Sequence, residues 1–191
     1  MSAPRRLGAV LAGGQSSRFG SDKALAVLDG ESLIARAVDS LTPWCEQVVV
    51  VGREQAPAPC LPDWPAPGMG PLGGIAAALR HAEAERFAEV LTVGVDCPDL
   101  PDDLPRLLGQ APAYLASQPV IGLWPARAAA DVAAILHGPG KHSLRALAER
   151  IGAHAVALTS EPANINTPAD LAELERRGAA SDGDSNARPA S

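Results

Sequence analysis

The sequence predicts an α/β domain in three layers, a mostly parallel sheet with helices on both faces. Three observations carry that expectation. Apolar runs without period-two alternation recur at Leu7–Leu11, Gln47–Val51 and Glu89–Val95, as suits parallel strands covered on both sides. Helical apolar patterns occupy the stretches between them. The first run ends in Gly13-Gly14 and the third in Asp96, and the carboxyl ends of parallel strands are where such sheets bind ligands.

Taken in order, the first strand stops at Gly13-Gly14, and a small polar loop with two cations, Arg18 and Lys23, follows. A strand-to-glycine turn exposes backbone N–H groups at the sheet edge, an arrangement suited to phosphate. Spacing rules out two common phosphate loops. The Walker loop needs Gly-Lys-Ser/Thr, whereas Lys23 stands between Asp22 and Ala24, and Gly13–Arg18 lacks the G-x-G-x-x-G of the dinucleotide fingerprint.

Ala24–Leu28 is a short apolar run, and the turn dipeptide Asp29-Gly30 leads to a helix with Leu33, Ile34, Ala37, Val38 and Leu41 on one face, ending before Pro43. Gln47–Val51 is the second strand. The proline-rich stretch Gln55–Met69 cannot be helical and reads as an irregular excursion with one short edge strand. Pro71 sits at a favoured position near a helix start, and Ala76–Leu79 carry that helix towards Glu85. The third strand delivers Asp96-Cys97-Pro98, and Pro101–Leu108 is expected to be a helix with Asp102 and Asp103 complementing the dipole of its first turn.

Ala113–Ala116 and Pro119–Trp124 read as short strands, followed by an alanine-rich helix over Ala126–Leu136 that Gly138-Pro139-Gly140 stops. Ser143–Ile151 presents Leu144, Leu147 and Ile151 as one helical face, and Ala153–Thr159 is the last strand. Thr167-Pro168-Ala169-Asp170 is a capping sequence for a terminal helix. Periodicity is lost from Gly178, so residues 1–177 are expected to form a single domain and 178–191 a disordered tail.

A chain of 191 residues, 47% hydrophobic, buries one core and is short for two. The formal charge of −6 argues against duplex nucleic acid or an anionic membrane as partner, since either needs a basic face. Any phosphate ligand must be held locally. Cys45, Cys60 and Cys97 are odd in number and lack paired spacing, which suits a reducing cytoplasm. No run approaches membrane-spanning length, and Met1–Arg6 is not followed by a signal-peptide pattern. A cytoplasmic protein is expected.

The loop itself reads L-A-G-G-x-S-x-R-x-G-x-D-K, carried by Leu11, Ala12, Gly13, Gly14, Ser16, Arg18, Gly20, Asp22 and Lys23. This resembles the N-terminal signature of the molybdenum cofactor guanylyltransferase (MobA-like nucleotidyltransferase) family. Further pieces resemble the family in the same order: Gly70-Pro71-Leu72-Gly73-Gly74, Asp96-Cys97-Pro98, Pro119–Trp124, Ser143–Leu147 and Asn164-Ile165-Asn166-Thr167-Pro168. The likeness runs from about Leu7 to Arg176.

The resemblance implies a Rossmann-like nucleotidyltransferase fold and Mg²⁺-dependent transfer of GMP from GTP to the terminal phosphate of molybdopterin, with pyrophosphate released. It implies catalytic roles for Arg18, Lys23 and Asp96, nucleotide contacts from Leu11, Ala12, Gly13, Gly14, Arg18, Lys23, Pro71, Leu72 and Asp96, and a metal at Asp96 with Asn166. The residue chemistry agrees. Cations neutralise a triphosphate, a carboxylate suits a hard ion, and such transfers depend on positioning and charge more than on covalent help. Asn166 is equally readable as a turn or cap residue, and Asp96 as a cap for the following helix. By resemblance, Ser143–Leu147 lies towards the pterin, with His142 the one histidine to watch. Cys97 reads as a buried small residue, there being no adjacent His. Transient contact with cofactor-biosynthesis or acceptor proteins is a further expectation.

Two departures stand out. Family members often carry a carboxylate shortly before G-P-L, where this chain has Pro65–Met69 and its nearest acid is Asp63, and often an Asn after the second strand, where this chain reads Val51-Gly52-Arg53. Both positions bear on nucleotide selection. The alternatives are a relative that uses CTP or acts on another phosphorylated small molecule, and a non-catalytic nucleotide-binding module, which would have no need of the Arg18, Lys23 and Asp96 set. Gly13 favours GTP, because cytidylyl relatives resemble L-A-A-G at this point.

Overall fold

The structure is a computed structural model that describes residues 4–13, 19 and 22–184. Strand β1 (Arg6–Leu11) leads through the glycine loop to a 3₁₀ turn, Lys23–Leu25, and then to a two-residue hairpin, β2 (Val27–Leu28) and β3 (Glu31–Ser32). The hairpin turns at Asp29-Gly30, both at positive φ, the geometry for which Asp-Gly is suited. Helix α1 (Leu33–Leu41) follows, capped by the Ser32 hydroxyl, which accepts from the Ala35 N–H, and it buries the five predicted apolar residues.

Strand β4 (Gln47–Val51) and edge strand β5 (Cys60–Leu61) come next, then α2 (Gly70–Ala84), β6 (Glu89–Gly94), α3 (Leu104–Leu108), β7 (Ala113–Leu115) and β8 (Gly122–Pro125). A second 3₁₀ turn, Ala126–Ala128, enters α4 (Ala129–His137), and α5 (Leu144–Ile151), β9 (His154–Val156) and α6 (Pro168–Asp184) complete the order. No helix among the described residues is long and apolar enough to cross a membrane.

Seven of these strands form one sheet in the order β5-β4-β1-β6-β8-β7-β9. β1 is parallel to β4 and β6, β8 is antiparallel to β6 and β7, and β7 is parallel to β9, so β8 alone runs against the rest. Alternate residues of the central strands face opposite layers: Leu7, Ala9 and Val49 meet α2 and α4, while Val10, Val50 and Leu91 meet α1 and α3. The expected three-layer, mostly parallel α/β sheet is the observed one. Register sets Leu11 beside Val51 on one side and Gly94 on the other, so three strand ends finish level and side by side. The chain turns from β4 on one flank of β1 to β6 on the other, and the crevice at such a reversal is where open sheets hold ligands.

Several boundaries differ from the sequence reading. α3 begins at Leu104 rather than Pro101: Asp103 is its N-cap residue and pairs with Arg106, Pro105 sits in the first turn, and Asp102 lies before the helix. The acids precede the helix because Pro105, fixed near helical φ and lacking an N–H, fits a first turn better than an interior. β8 occupies Gly122–Pro125 instead of starting at Pro119, which cannot donate to a ladder. β9 is short, and 3₁₀ geometry replaces α-helix over Ala126–Ala128. α6 continues past Gly178 to Asp184. Its start is as read: Thr167 Oγ1 accepts from the Asp170 N–H, and the Asp170 carboxylate accepts from the N–H groups of Asn166 and Thr167.

Candidate active site

Two clusters of functional side chains meet at the level strand ends. In the first, Lys23 at the end of the glycine loop donates to the Ile165 carbonyl at 2.8 Å and lies 3.4 Å from Asp96 Oδ2. Its side chain is 14% exposed and that of Asp96 31%, so the pair opens to one side only. Asp96 is placed by the turn after β6. Its Oδ1 occupies the space that a Cβ on Gly94 would fill, and its carbonyl accepts from the Ile165 N–H at 2.8 Å. Gly94 is thus needed for the carboxylate to fold back over the strand end. Seven residues lie between Asp96 and Leu104, the start of α3, and the N-cap is Asp103, which rules out the helix-cap reading.

The same Ile165 contacts bring Asn166, exposed at the start of α6, beside the Asp96 turn, with its N–H committed to Asp170. Among the described residues no group of three or more His, Cys, Asp or Glu could by itself hold a metal ion. The donor set fits Mg²⁺ in the way that ion is usually held in phosphate chemistry, by one carboxylate with waters and substrate oxygens supplying the remainder. Cys97 is buried, its thiol 2.7 Å from Gln118 Oε1, and Gln118 in turn donates to the Pro162 carbonyl. Burial and the Asp96 charge push the thiol well above its ordinary range, so it is a packing group.

The second cluster is a cleft of about 520 Å³ between the ends of β1 and β4, the segment before α2 and the first turns of that helix. Leu11, Gly13 and Pro71 line it, and so does Asp63. A Cβ on Gly13, Gly52 or Gly74 would lie 3.4, 3.4 or 3.7 Å from a carboxylate oxygen of Asp63, so glycines from three segments surround it. Burial raises the Asp63 carboxyl above its ordinary value, opposed by a hydrogen bond from the Gly68 N–H. Asp63, seven residues before Gly70, is thus the acid that stands in this cleft. β5, paired parallel to β4, ends at Leu61, two residues before Asp63.

Gly13 and Gly52 touch through their backbones. Gly52 has φ +86°, and a Cβ there would stand 2.5 Å from Gly13 Cα. Gly52→Ala is expected to cost about 1–3 kcal/mol from the strained backbone, some 2–4 °C in melting midpoint per kcal/mol for a chain of this size. Calorimetry checks it, and an unchanged midpoint would mean that this contact is not closed in solution.

Arg53, the last residue of the Val51-Gly52-Arg53 stretch in which an Asn was expected, reaches away from the cleft to Asp22, with Nη–O distances of 2.9 and 2.5 Å. The guanidinium holds the Asp22 carboxyl below its usual range, and Asp22 also accepts from the Ala24 N–H. The pair anchors the residue preceding Lys23 to the end of β4. Ala12 packs towards the α1 side and donates to the Val51 carbonyl at 3.0 Å. Leu72 is buried in the α2-side core. Gly14 and Arg18 lie outside the described residues.

Pro71 and Leu72 also border a second cavity, of about 690 Å³, with Tyr114, His142, Ser143 and Arg145 on its far wall. Pro71 is common to both spaces. His142 has a ring nitrogen 3.2 Å from the Gly138 carbonyl, and Arg145 pairs with Glu149.

The profile of the MobA-like NTP transferase domain matches residues 8–158, spanning the glycine loop, the Asp63 cleft and Asp96. The chain belongs to the MobA-like NTP transferase family. It is similar to the molybdenum cofactor guanylyltransferase of Rhizobium johnstonii, with 38% identity over 190 residues covering 88% of this chain and 91% of the relative. A protein of the same name from Acidiphilium cryptum is 38% identical, covering 87% and 92%. The crystal structure of molybdopterin-guanine dinucleotide biosynthesis protein A from Archaeoglobus fulgidus shares the fold, with a TM-score of 0.71 and 24% identity, covering 91% of this chain and 99% of that one. As a MobA-like NTP transferase the chain is a nucleotidyltransferase, and the geometry above is its candidate active site.

Proposed function

We propose that this enzyme transfers GMP from GTP to the terminal phosphate of molybdopterin in the cytoplasm. The observation that carries the choice of GTP is the Asp63 carboxylate among Gly13, Gly52 and Gly74. Guanine presents two adjacent donors, N1–H and the 2-amino group, which match the two oxygens of one carboxylate. Cytosine presents one donor beside an acceptor, and adenine does the same on its corresponding edge, so each would set a lone pair against Asp63. A site built to satisfy a donor pair rejects a base that lacks it.

With the base at Asp63, the triphosphate runs along the glycine loop towards Lys23. The acceptor phosphate oxygen attacks the α-phosphorus, the bond from that phosphorus to the bridging oxygen of the β-phosphate breaks, and pyrophosphate leaves with the negative charge. Lys23, joined by Arg18 from the loop, neutralises charge on the phosphates. Mg²⁺, held at Asp96 with Asn166 nearby, would supply charge neutralisation at the phosphate oxygens. The second cavity, reached past Pro71 and floored by the Ser143–Arg145 turn, suits the acceptor because it adjoins the nucleotide cleft. The relatives named molybdenum cofactor guanylyltransferase support this reading of substrate and acceptor.

The test is kcat/KM for GTP and CTP with molybdopterin as acceptor, in the parent, Asp63→Asn and Gly13→Ala. GTP should be preferred by the parent. Asn retains a single acceptor oxygen and adds a donor, so Asp63→Asn should lose most of that preference. A methyl on Gly13 would stand 3.3 Å from Gly52 Cα and 3.4 Å from Asp63 Oδ2, crowding the base edge, so the ratio should fall there too. A parent that uses CTP as well as GTP would sink the guanylyl assignment, and an unaltered ratio in Gly13→Ala would sink the role given to Gly13.

A further inference from the structure

We propose that Trp64 is a positioning residue for base recognition, a wedge that fixes the Asp63 carboxylate in the nucleotide cleft. The inference rests on Asp63 reading the guanine edge. Asp63 belongs to the irregular stretch between β5 and α2, which has no long element of its own to hold it in place. Upstream, the two residues of β5 pair with Val50 and Val51, and the Gly52 N–H donates to the Leu61 carbonyl. Downstream, the Gly68 N–H bonds the carboxylate itself, and the segment that carries both is tied to the helices through Trp64. Its N–H donates to the Gly73 carbonyl at 3.2 Å, and its ring packs against the α2-side core.

The ring is gripped on two sides. The Arg80 guanidinium lies 4.4 Å from its centroid, within cation–π range. The His137 ring meets it at 5.1 Å and 88°, an edge-to-face contact. Arg80 is on α2 and His137 is the last residue of α4, so the indole ties the Asp63 segment to both helices. α2 is also the helix whose first turns, at Gly70, Pro71 and Gly74, wall the cleft. Carboxylate and wall are therefore set relative to one another by the residue adjacent to the carboxylate. Misplacement by about 1 Å is enough to forfeit directional contacts at a site, and a carboxylate whose charged form burial already disfavours has every tendency to swing to water when its tether is cut.

The experiment measures kcat and KM for GTP and for ITP, which lacks the 2-amino donor, in Trp64→Ala, Trp64→Phe, Arg80→Ala, Asp63→Asn and the Trp64→Ala/Asp63→Asn double variant, with a melting midpoint for each. Trp64→Ala should raise the KM for GTP about tenfold with kcat within about threefold, and bring the GTP-to-ITP ratio down to that of Asp63→Asn. Trp64→Phe should restore most of the ratio, and Arg80→Ala, an exposed change that takes the cation off the indole and so loosens it, should lose part of it. In the double variant Trp64→Ala should add nothing to the ratio. If Asp63→Asn shifts the ratio while Trp64→Ala and Arg80→Ala leave it at the parent value, the wedge is wrong and the base reading stands. If Asp63→Asn itself leaves the ratio unchanged, the base reading falls and takes the wedge with it. Should Trp64→Ala fail to fold, Arg80→Ala and Trp64→Phe decide alone, since a parent ratio in Arg80→Ala overturns the proposal.

Discussion

Lys23→Ala should lower turnover by about 10²-fold or more with the fold intact, the loss typical when one preorganised donor to developing charge is removed. Lys23 is held by the Ile165 carbonyl at 2.8 Å and by Asp96, and is largely shielded from solvent. Its ammonium therefore acts with little reorganisation and little screening. Water entering the space left by alanine restores hydrogen bonds to Asp96 and Ile165 but not the positive charge, so the phosphate site loses its neutralisation. Arg18→Ala should behave alike if the loop brings its guanidinium to the same phosphates. Steady-state rates with GTP and molybdopterin, compared with melting midpoints, check both. Rates within threefold of the parent would remove these residues from the mechanism.

What could be read in advance followed from how each feature is encoded. β1, β4 and β6 are written as continuous apolar runs, and the apolar face of α1 has one helical spacing. Such patterns are local, because the residues that carry them are neighbours in the element that forms. The Lys23–Asp96 site was legible for a related reason: Asp96 sits two residues past β6, Lys23 closes the loop that leaves β1, and the sheet brings those two strand ends level. Asp63 is the contrary case. It lies in a stretch of prolines with no periodicity, and its place beside Gly13 and Gly52 depends on a two-residue edge strand and on the grip of Arg80 and His137 on Trp64. Those contacts span segments far apart in the chain, and no short-range spacing encodes them. Gly94 had a weak local signal, a glycine ending a buried strand just before an acid. The Asp22–Arg53 pair had none, since either residue alone is an ordinary surface charge.

Asp96→Asn should abolish Mg²⁺-dependent turnover while preserving much of the metal-free affinity for GTP. The substitution is nearly isosteric. Asn can still sit over Gly94, and the backbone bond from Ile165 to the residue 96 carbonyl is untouched, so the strand end should keep its shape. What disappears is the negative charge. A hard divalent ion that keeps most of its water needs at least one anionic protein ligand to be fixed at a given place, and among the described residues Asp96 is the carboxylate beside Lys23 at the strand ends. Base affinity should survive because Asp63 lies in the separate cleft on the β4 side of β1. Titration of Mg²⁺ against turnover, with GTP affinity measured in chelator, separates the two effects. Asn would also leave Lys23 without its ionic partner, which frees the ammonium for phosphate and should slightly favour nucleotide binding without metal. If Mg²⁺ dependence is the same in Asp96→Asn as in the parent, the ion is held elsewhere and Asp96 serves only to orient Lys23.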